Sequence, residues 1–159
     1  SNVQVKWPND LIVSGQKVCG ILTEMVLAEC EVDYIIIGVG VNVNTQKFPD
    51  ELKDKATSLY QVSGKFLKRQ SLIQDIVECF EKEYQKFERF NDLSFLQEEY
   101  NEMLVNCGKE VRVLEPGNEY QAVALGINRM GELRVRLASG EEAEIFAGEV
   151  SVRGVYGYV

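Results

Sequence analysis

The sequence predicts an α+β chain that closes with a small all-β unit, and three observations carry that expectation. From Val3 to Asn44 apolar residues recur with the two-residue period of strands. From Ser71 to Val105 they recur at helical spacing. Beyond Gly108 short apolar alternations are separated by Gly, Pro, Asn and Ser turns. A length of 159 residues suits one ordinary domain, or a domain with a small appendage.

Each element follows from its residues. Ser1-Asn2 reads as the scar of a cleaved expression tag. Val3, Val5 and Trp7 alternate with Gln4 and Lys6 as a strand, which Pro8 ends or confines to an edge. Leu11 to Val13 continues as a strand into a Ser14-Gly15 turn, and Val18 to Val26 returns antiparallel to it. Cys30 to Asp33 is polar enough to turn again, and Tyr34 to Asn44 comes back, completing a meander whose polar positions converge on one face. Asn44 to Gly64, with Pro49-Asp50 and Ala56-Thr57-Ser58-Leu59, reads as loop with one short helical piece.

Ser71 is positioned to cap a long helix in which Ile73, Ile76, Val77, Phe80, Tyr84 and Phe87 form a core-facing stripe. A second helix is expected from about Leu93 to Val105, with Phe95, Leu96, Tyr100, Met103 and Leu104 inward. Gly108 then supplies a left-handed cap. Five short strands follow, Lys109 to Leu114, Tyr120 to Ile127, Leu133 to Ala138, Ala143 to Phe146 and Ser151 to Val155, with turns at Pro116-Gly117-Asn118, Arg129-Met130-Gly131 and Ser139-Gly140. Together they predict a small barrel. The domain boundary falls at Cys107, giving domains 1–106 and 107–159.

Composition bounds the chemistry. Apolar residues at 45% and charged ones at 26% describe a soluble globular protein with a core. No run approaches the roughly 18 apolar residues of a membrane span, and no signal-peptide pattern opens the chain, so the cytoplasm is the expected compartment. A net charge of -8 without clustered Lys and Arg argues against a broad nucleic-acid surface, though an acidic patch would suit a basic partner. Cysteines at 19, 30, 79 and 107 form no C-x-x-C and there is no histidine, which excludes a zinc site or a His-based triad within this chain. All four cysteines read as free, mostly buried thiols in a reducing compartment.

Three runs concentrate the chemistry: Lys6-Trp7-Pro8-Asn9-Asp10, Lys17-Val18-Cys19-Gly20-Ile21-Leu22, and Gly38-Val39-Gly40-Val41-Asn42-Val43-Asn44. In the third, Ile35, Ile37, Val39, Val41 and Val43 fall on one face and Gly38, Gly40, Asn42 and Asn44 on the other. Two readings of the glycines stand: close approach of a ligand or backbone, or a tightly packed crossing or bulge. Lys17 is either a solvated charge beside a turn or a cation for an anionic substrate. Asp10 is either a turn residue after Pro8 or a hard oxygen donor.

The five features Lys6 to Asp10, Lys17-Val-Cys-Gly-Ile-Leu-Thr-Glu24, Gly38-x-Gly40-x-Asn42, Ala56-Thr57-Ser58-Leu59 and the terminal barrel, in this order, resemble biotin protein ligases over essentially the whole chain. The resemblance implies part of a class II synthetase-like catalytic domain, a mixed or antiparallel sheet with helices, followed by an SH3-like barrel. It implies ATP-dependent activation of biotin to biotinyl-5′-AMP and transfer to a lysine of a biotin carboxyl carrier protein, with Mg2+ accompanying ATP and with a homodimer as one expected assembly.

By the same resemblance Lys17 contacts biotin's carboxylate and the α-phosphate. Gly20, Gly38 and Gly40 let backbone approach the adenylate, and Asp10 and Asn42, with Asn9 nearby, serve the nucleotide and Mg2+. Lys6 ranks lower, as a structural ion pair. The family's Gly- and Arg-rich ligand loop, and the DNA-binding domain of its bifunctional repressor members, lie upstream of the Lys-Trp-Pro-Asn-Asp run. The chain is therefore expected to correspond to the C-terminal part and to form no adenylate alone. Two other classes compete: a non-catalytic interaction module, since small barrels often bind partners, and a lipoate-type ligase sharing the adenylation logic. The Lys-Trp-Pro-Asn-Asp run and the terminal barrel favour biotin.

Overall fold

A computed structural model describes residues 3–29, 31–115, 117–147 and 151–154. The expectations for Ser1, Asn2, Cys30, Pro116 and Val155 lie outside the described residues. The chain divides into two compact units, one built on Asn9–Leu67 and the other on Gln4–Pro8 with the chain from Lys68 onward. The compact units divide after Leu67, and the change from helices to short strands comes near Cys107.

Strand β1 (Val3–Lys6) opens the chain. In the first unit β2 (Asp10–Val13), β3 (Gln16–Ala28) and β4 (Glu31–Val41) form the expected antiparallel meander. Ser14 and Gly15, at φ 52° and 79°, form the two-residue turn between β2 and β3, with both dihedrals in the region that primed hairpin turns require. Strand β4 begins earlier than the polar Glu31 to Asp33 stretch suggests. Glu29 takes the turn at φ 50°, and Glu31 and Val32 already pair with Ala28 and Leu27, so ladder bonding overrides local polarity. Its end also comes sooner than Asn44. The carbonyls of Asn42 and Val43 accept from the amides of Leu59 and Tyr60, each at 2.9 Å, which turns the chain out of the sheet and into α1 (Leu59–Ser63). Val13, Val18 and Cys19 are buried here, with Leu11, Ile21, Val41 and Leu59 against them.

The second unit holds α2 (Arg69–Phe90) and α3 (Gln97–Met103), then β5 (Glu110–Glu115), β6 (Asn118–Ile127), β7 (Leu133–Leu137), β8 (Glu142–Ile145) and β9 (Ser151–Gly154). Helix α2 starts before Ser71, with Lys68 at the cap position and no side-chain capping bond. Its apolar stripe corrects the sequence reading. None of its residues is buried, and Ile73, Val77 and Phe80 are about half exposed or more, because a 3.6-residue period shows which face is apolar but not what covers it. Helix α3 is shorter than expected and ends at Met103. Gly108 does have a positive φ, 74°, but its amide bonds to Ala124 O rather than capping α3.

The five strands pair antiparallel in the order β8-β7-β6-β5-β9. Val111, Val113, Ala124, Leu133 and Val135 are buried among them, with Trp7, whose indole N–H donates to Gly131 O at 3.0 Å. Among the described residues β8 and β9 are the two edges, so closure into a barrel is not seen. The wet side carries Arg112–Glu119 and Arg134–Glu142 ion pairs, which at this exposure contribute little to stability. Among the described residues no helix is long and apolar enough to cross a membrane.

Candidate functional site

The site begins with register. Asp10 pairs with Gly20 across β2 and β3, and Gly20 pairs with Gly40 across β3 and β4, so the three form one row on one face of the sheet. Register offset between β2 and β3, shifted at Leu11/Ile12, sets Ile12 opposite Lys17. From there the Lys17 side chain folds back over the row. Its ammonium lies 2.5 Å from Asp10 Oδ1, with the lysine side chain 38% exposed and the aspartate 9%. A methyl on Gly20 would lie 2.8 Å from Lys17 Nζ and 2.9 Å from Cε. Glycine at 20 is therefore what lets the ammonium rest on bare backbone.

The backbone of Lys17 is fixed from the other side. Its amide donates to Lys55 O at 2.8 Å and its carbonyl accepts from the Thr57 amide at 2.9 Å. Asn42 joins the same segment, its Nδ2 donating to Thr57 O at 3.1 Å, so the amide oxygen is the end not spent on that bond. Asn9 braces β2 against β3: its Nδ2 donates to Ile21 O at 2.7 Å and its carbonyl accepts from the Ile21 amide at 2.9 Å.

A methyl on Gly38 or Gly40 would lie 3.6 Å from Leu22 O or Gly20 O, which is ordinary contact. Neither glycine relieves a crowded crossing, and the only irregularity in the β3–β4 register falls between Val26 and Leu27, away from both. They leave the face open instead. Lys6 is buried and belongs to the other unit.

Burial holds the Cys19 thiol above its usual range, although the Lys17 ammonium works in the opposite direction, so the thiol stays protonated and inert near neutrality. Cys79 is exposed rather than buried, and Cys107 is half-buried.

Ser58 and Thr57 are buried polar residues whose individual bonds the sequence reading did not anticipate. Ser58 Oγ donates to Thr45 O at 2.5 Å and accepts from the Gln61 amide at 3.1 Å, capping α1. The signal was available, because Ser58-Leu59-Tyr60-Gln61 has the spacing of a capping box. Ser58→Ala is expected to destabilise the unit by about 1 kcal/mol or more, since it removes a cap and leaves the Thr45 carbonyl without that donor. Urea unfolding of both proteins measures the difference, and an unchanged midpoint would contradict this role.

Residues 1–42 match the model of the biotin/lipoate A/B protein ligase family, and residues 107–153 match that of the biotin protein ligase C-terminal domain. The chain belongs to the biotin protein ligase family. As a biotin protein ligase relative it is 40% identical over 152 residues to the bifunctional ligase/repressor BirA of Bacillus spizizenii, covering 93% of this chain and 46% of that protein. The chain thus spans about half the length of the curated relatives it matches. The biotin protein ligase of Aquifex aeolicus superposes with a TM-score of 0.84 in its apo form and 0.83 in complex with biotin and ATP. Both are 28% identical to this chain and cover 96% of it, the chain covering 65% and 62% of theirs.

Proposed function

We propose that this chain is a working part of an ATP-dependent biotin protein ligase, which joins biotin to AMP and passes it to a lysine of a carboxyl carrier protein. The observation that carries the reading is the Lys17 ammonium held by Asp10 over the bare backbone of Gly20. In the first step a biotin carboxylate oxygen attacks the α-phosphorus of ATP and pyrophosphate leaves. In the second, the target lysine amine attacks the acyl carbon of the mixed anhydride, loses a proton and releases AMP.

Two anions must meet in the first step, so a fixed cation beside the reacting atoms is the group of greatest value. Lys17 fills that role. Asp10 positions it, and the braces from Lys55 and Thr57 hold its backbone. Gly20, Gly38 and Gly40 leave the face low enough for the adenylate to lie against the sheet.

The donor set suits a magnesium ion carried mainly by phosphate and water: one carboxylate, Asp10, and one amide oxygen, Asn42, with no group of three or more acidic, His or Cys ligands among the described residues. Bound there, the ion would neutralise phosphate charge. Asn9 serves this side indirectly, by bracing the strands.

The same reading assigns residues 107–159 to an SH3-like barrel, the protein to the cytoplasm, and any DNA contact to a domain outside this sequence. It allows for a homodimer. The C-terminal domain match favours biotin over lipoate. Biotin-dependent pyrophosphate release by a ligase carrying this sequence is the deciding assay. A ligase that activates lipoate instead would overturn the substrate, and one that activates neither would leave the interaction-module reading.

A further inference from the structure

Two of the proposed site residues hang from a third. The Thr57 amide donates to the Lys17 carbonyl at 2.9 Å, and the Thr57 carbonyl accepts from Asn42 Nδ2 at 3.1 Å. Lys17 has other holds, since its amide donates to Lys55 O at 2.8 Å and it stands opposite Ile12 in the β2–β3 ladder. The Asn42 side chain takes its orientation from Thr57. A carboxamide has a donor at one end and an acceptor at the other, so turning Nδ2 to the Thr57 carbonyl decides that Oδ1 is the end offered elsewhere.

Thr57 is held in turn by a side-chain clasp. It is buried, and its hydroxyl donates to Gln61 Oε1 at 3.3 Å. Gln61 Nε2 reaches the other end of the same loop and donates to Gln46 O at 3.0 Å, while the Gln61 amide donates to Ser58 Oγ at 3.1 Å. One glutamine thus joins both ends of the 46–57 segment and steadies the residue on which Asn42 leans. We propose that Thr57 and Gln61 are positioning residues of the nucleotide step, which fix the end of the Asn42 amide that faces the nucleotide side. The proposal rests on the nucleotide-side role of Asn42. It also gives a reason for an amide at 42: a carboxylate would be at least as good a hard oxygen ligand, but would turn an acceptor onto the Thr57 carbonyl.

The test uses a ligase carrying this sequence. Thr57→Val keeps the branched shape and loses the hydroxyl, Thr57→Ser keeps the hydroxyl, and Gln61→Ala removes the clasp from an exposed position. Thr57→Val and Gln61→Ala should each raise KM for ATP by roughly threefold to tenfold, the scale of one lost hydrogen bond, with biotin binding in the absence of ATP unchanged. Thr57→Ser should stay near wild type. Asn42→Asp should also use ATP poorly, and adding Thr57→Val to Asn42→Ala should cost nothing further, because Thr57 acts through Asn42. A second readout needs no nucleotide: in protein labelled with 15N-asparagine, exchange of the Asn42 side-chain amide protons should quicken in Thr57→Val and not in Thr57→Ser. An unchanged KM for ATP in both clasp variants overturns the proposal, as does an Asn42→Asp enzyme as good as wild type. So does an equal loss of biotin binding, which would mark a general loosening of the unit, or a double variant worse than Asn42→Ala. If Asn42→Ala itself uses ATP normally, the nucleotide-side role of Asn42 fails, and the side-chain exchange still decides whether Thr57 holds the amide.

Discussion

Lys17→Ala in a ligase carrying this sequence is expected to slow biotinyl-adenylate formation by roughly a hundredfold or more, the scale of losing one donor aimed at charge that develops in the transition state. The effect should appear in kcat as well as in KM, since the ammonium meets the attacking carboxylate and the α-phosphate more closely in the transition state than in the bound ground state. Lys17→Arg should rescue only in part. The lysine reaches Asp10 as a compact point charge folded over Gly20, and a planar guanidinium is wider than the space that a missing Cβ provides. Stability should change little, because the lysine side chain is more than a third exposed and the ion pair is correspondingly screened. Single-turnover formation of the adenylate, with a melting curve for each variant, separates the effects. Near-normal turnover in Lys17→Ala would return the residue to a solvated charge beside a turn.

How this site could be read from sequence depends on which property is local. Alternation at Gly38, Gly40 and Asn42 is local, so the bare face of β4 is legible in the chain itself. That Gly20 stands opposite Gly40, and Asp10 opposite Gly20, depends on register, which the hairpin turn and an irregularity at Leu11/Ile12 fix together. The return of Lys17 over Gly20 depends on that register in turn. The α2 stripe shows the opposite limit: the period identifies a helix and its apolar face, but burial belongs to whatever lies against it, and in this chain the stripe is exposed. The β5 to β9 strands were legible almost residue by residue because each is short, alternating and bounded by turn residues. Ser58 was legible too, as a capping box, but its burial and its bond to Thr45 come from the fold of the 42–59 segment.

The two glycines of the central row should respond differently to the same added methyl, and that contrast tests whether the open face is functional. In Gly20→Ala the methyl meets Lys17 Nζ at 2.8 Å, Cε at 2.9 Å and Asp10 Oδ1 at 3.4 Å. The crowded atoms are mainly the far end of a flexible side chain, so the fold yields cheaply and the ammonium moves. Adenylation should fall by tenfold to roughly a hundredfold, as expected when a catalytic group is displaced by about an ångström, while the melting temperature stays within a few degrees. In Gly40→Ala the methyl meets Gly20 O at 3.6 Å, an ordinary contact, and leaves Lys17 where it is. Stability should hold or rise slightly, because alanine restricts the unfolded chain. ATP or adenylate binding should nevertheless weaken, since the methyl stands on the face against which the nucleotide is proposed to lie. Melting curves and nucleotide titrations on both variants decide the matter. If Gly40→Ala binds nucleotide normally but melts far lower, the glycines serve packing; if Gly20→Ala turns over normally, the ammonium does not need its seat on bare backbone.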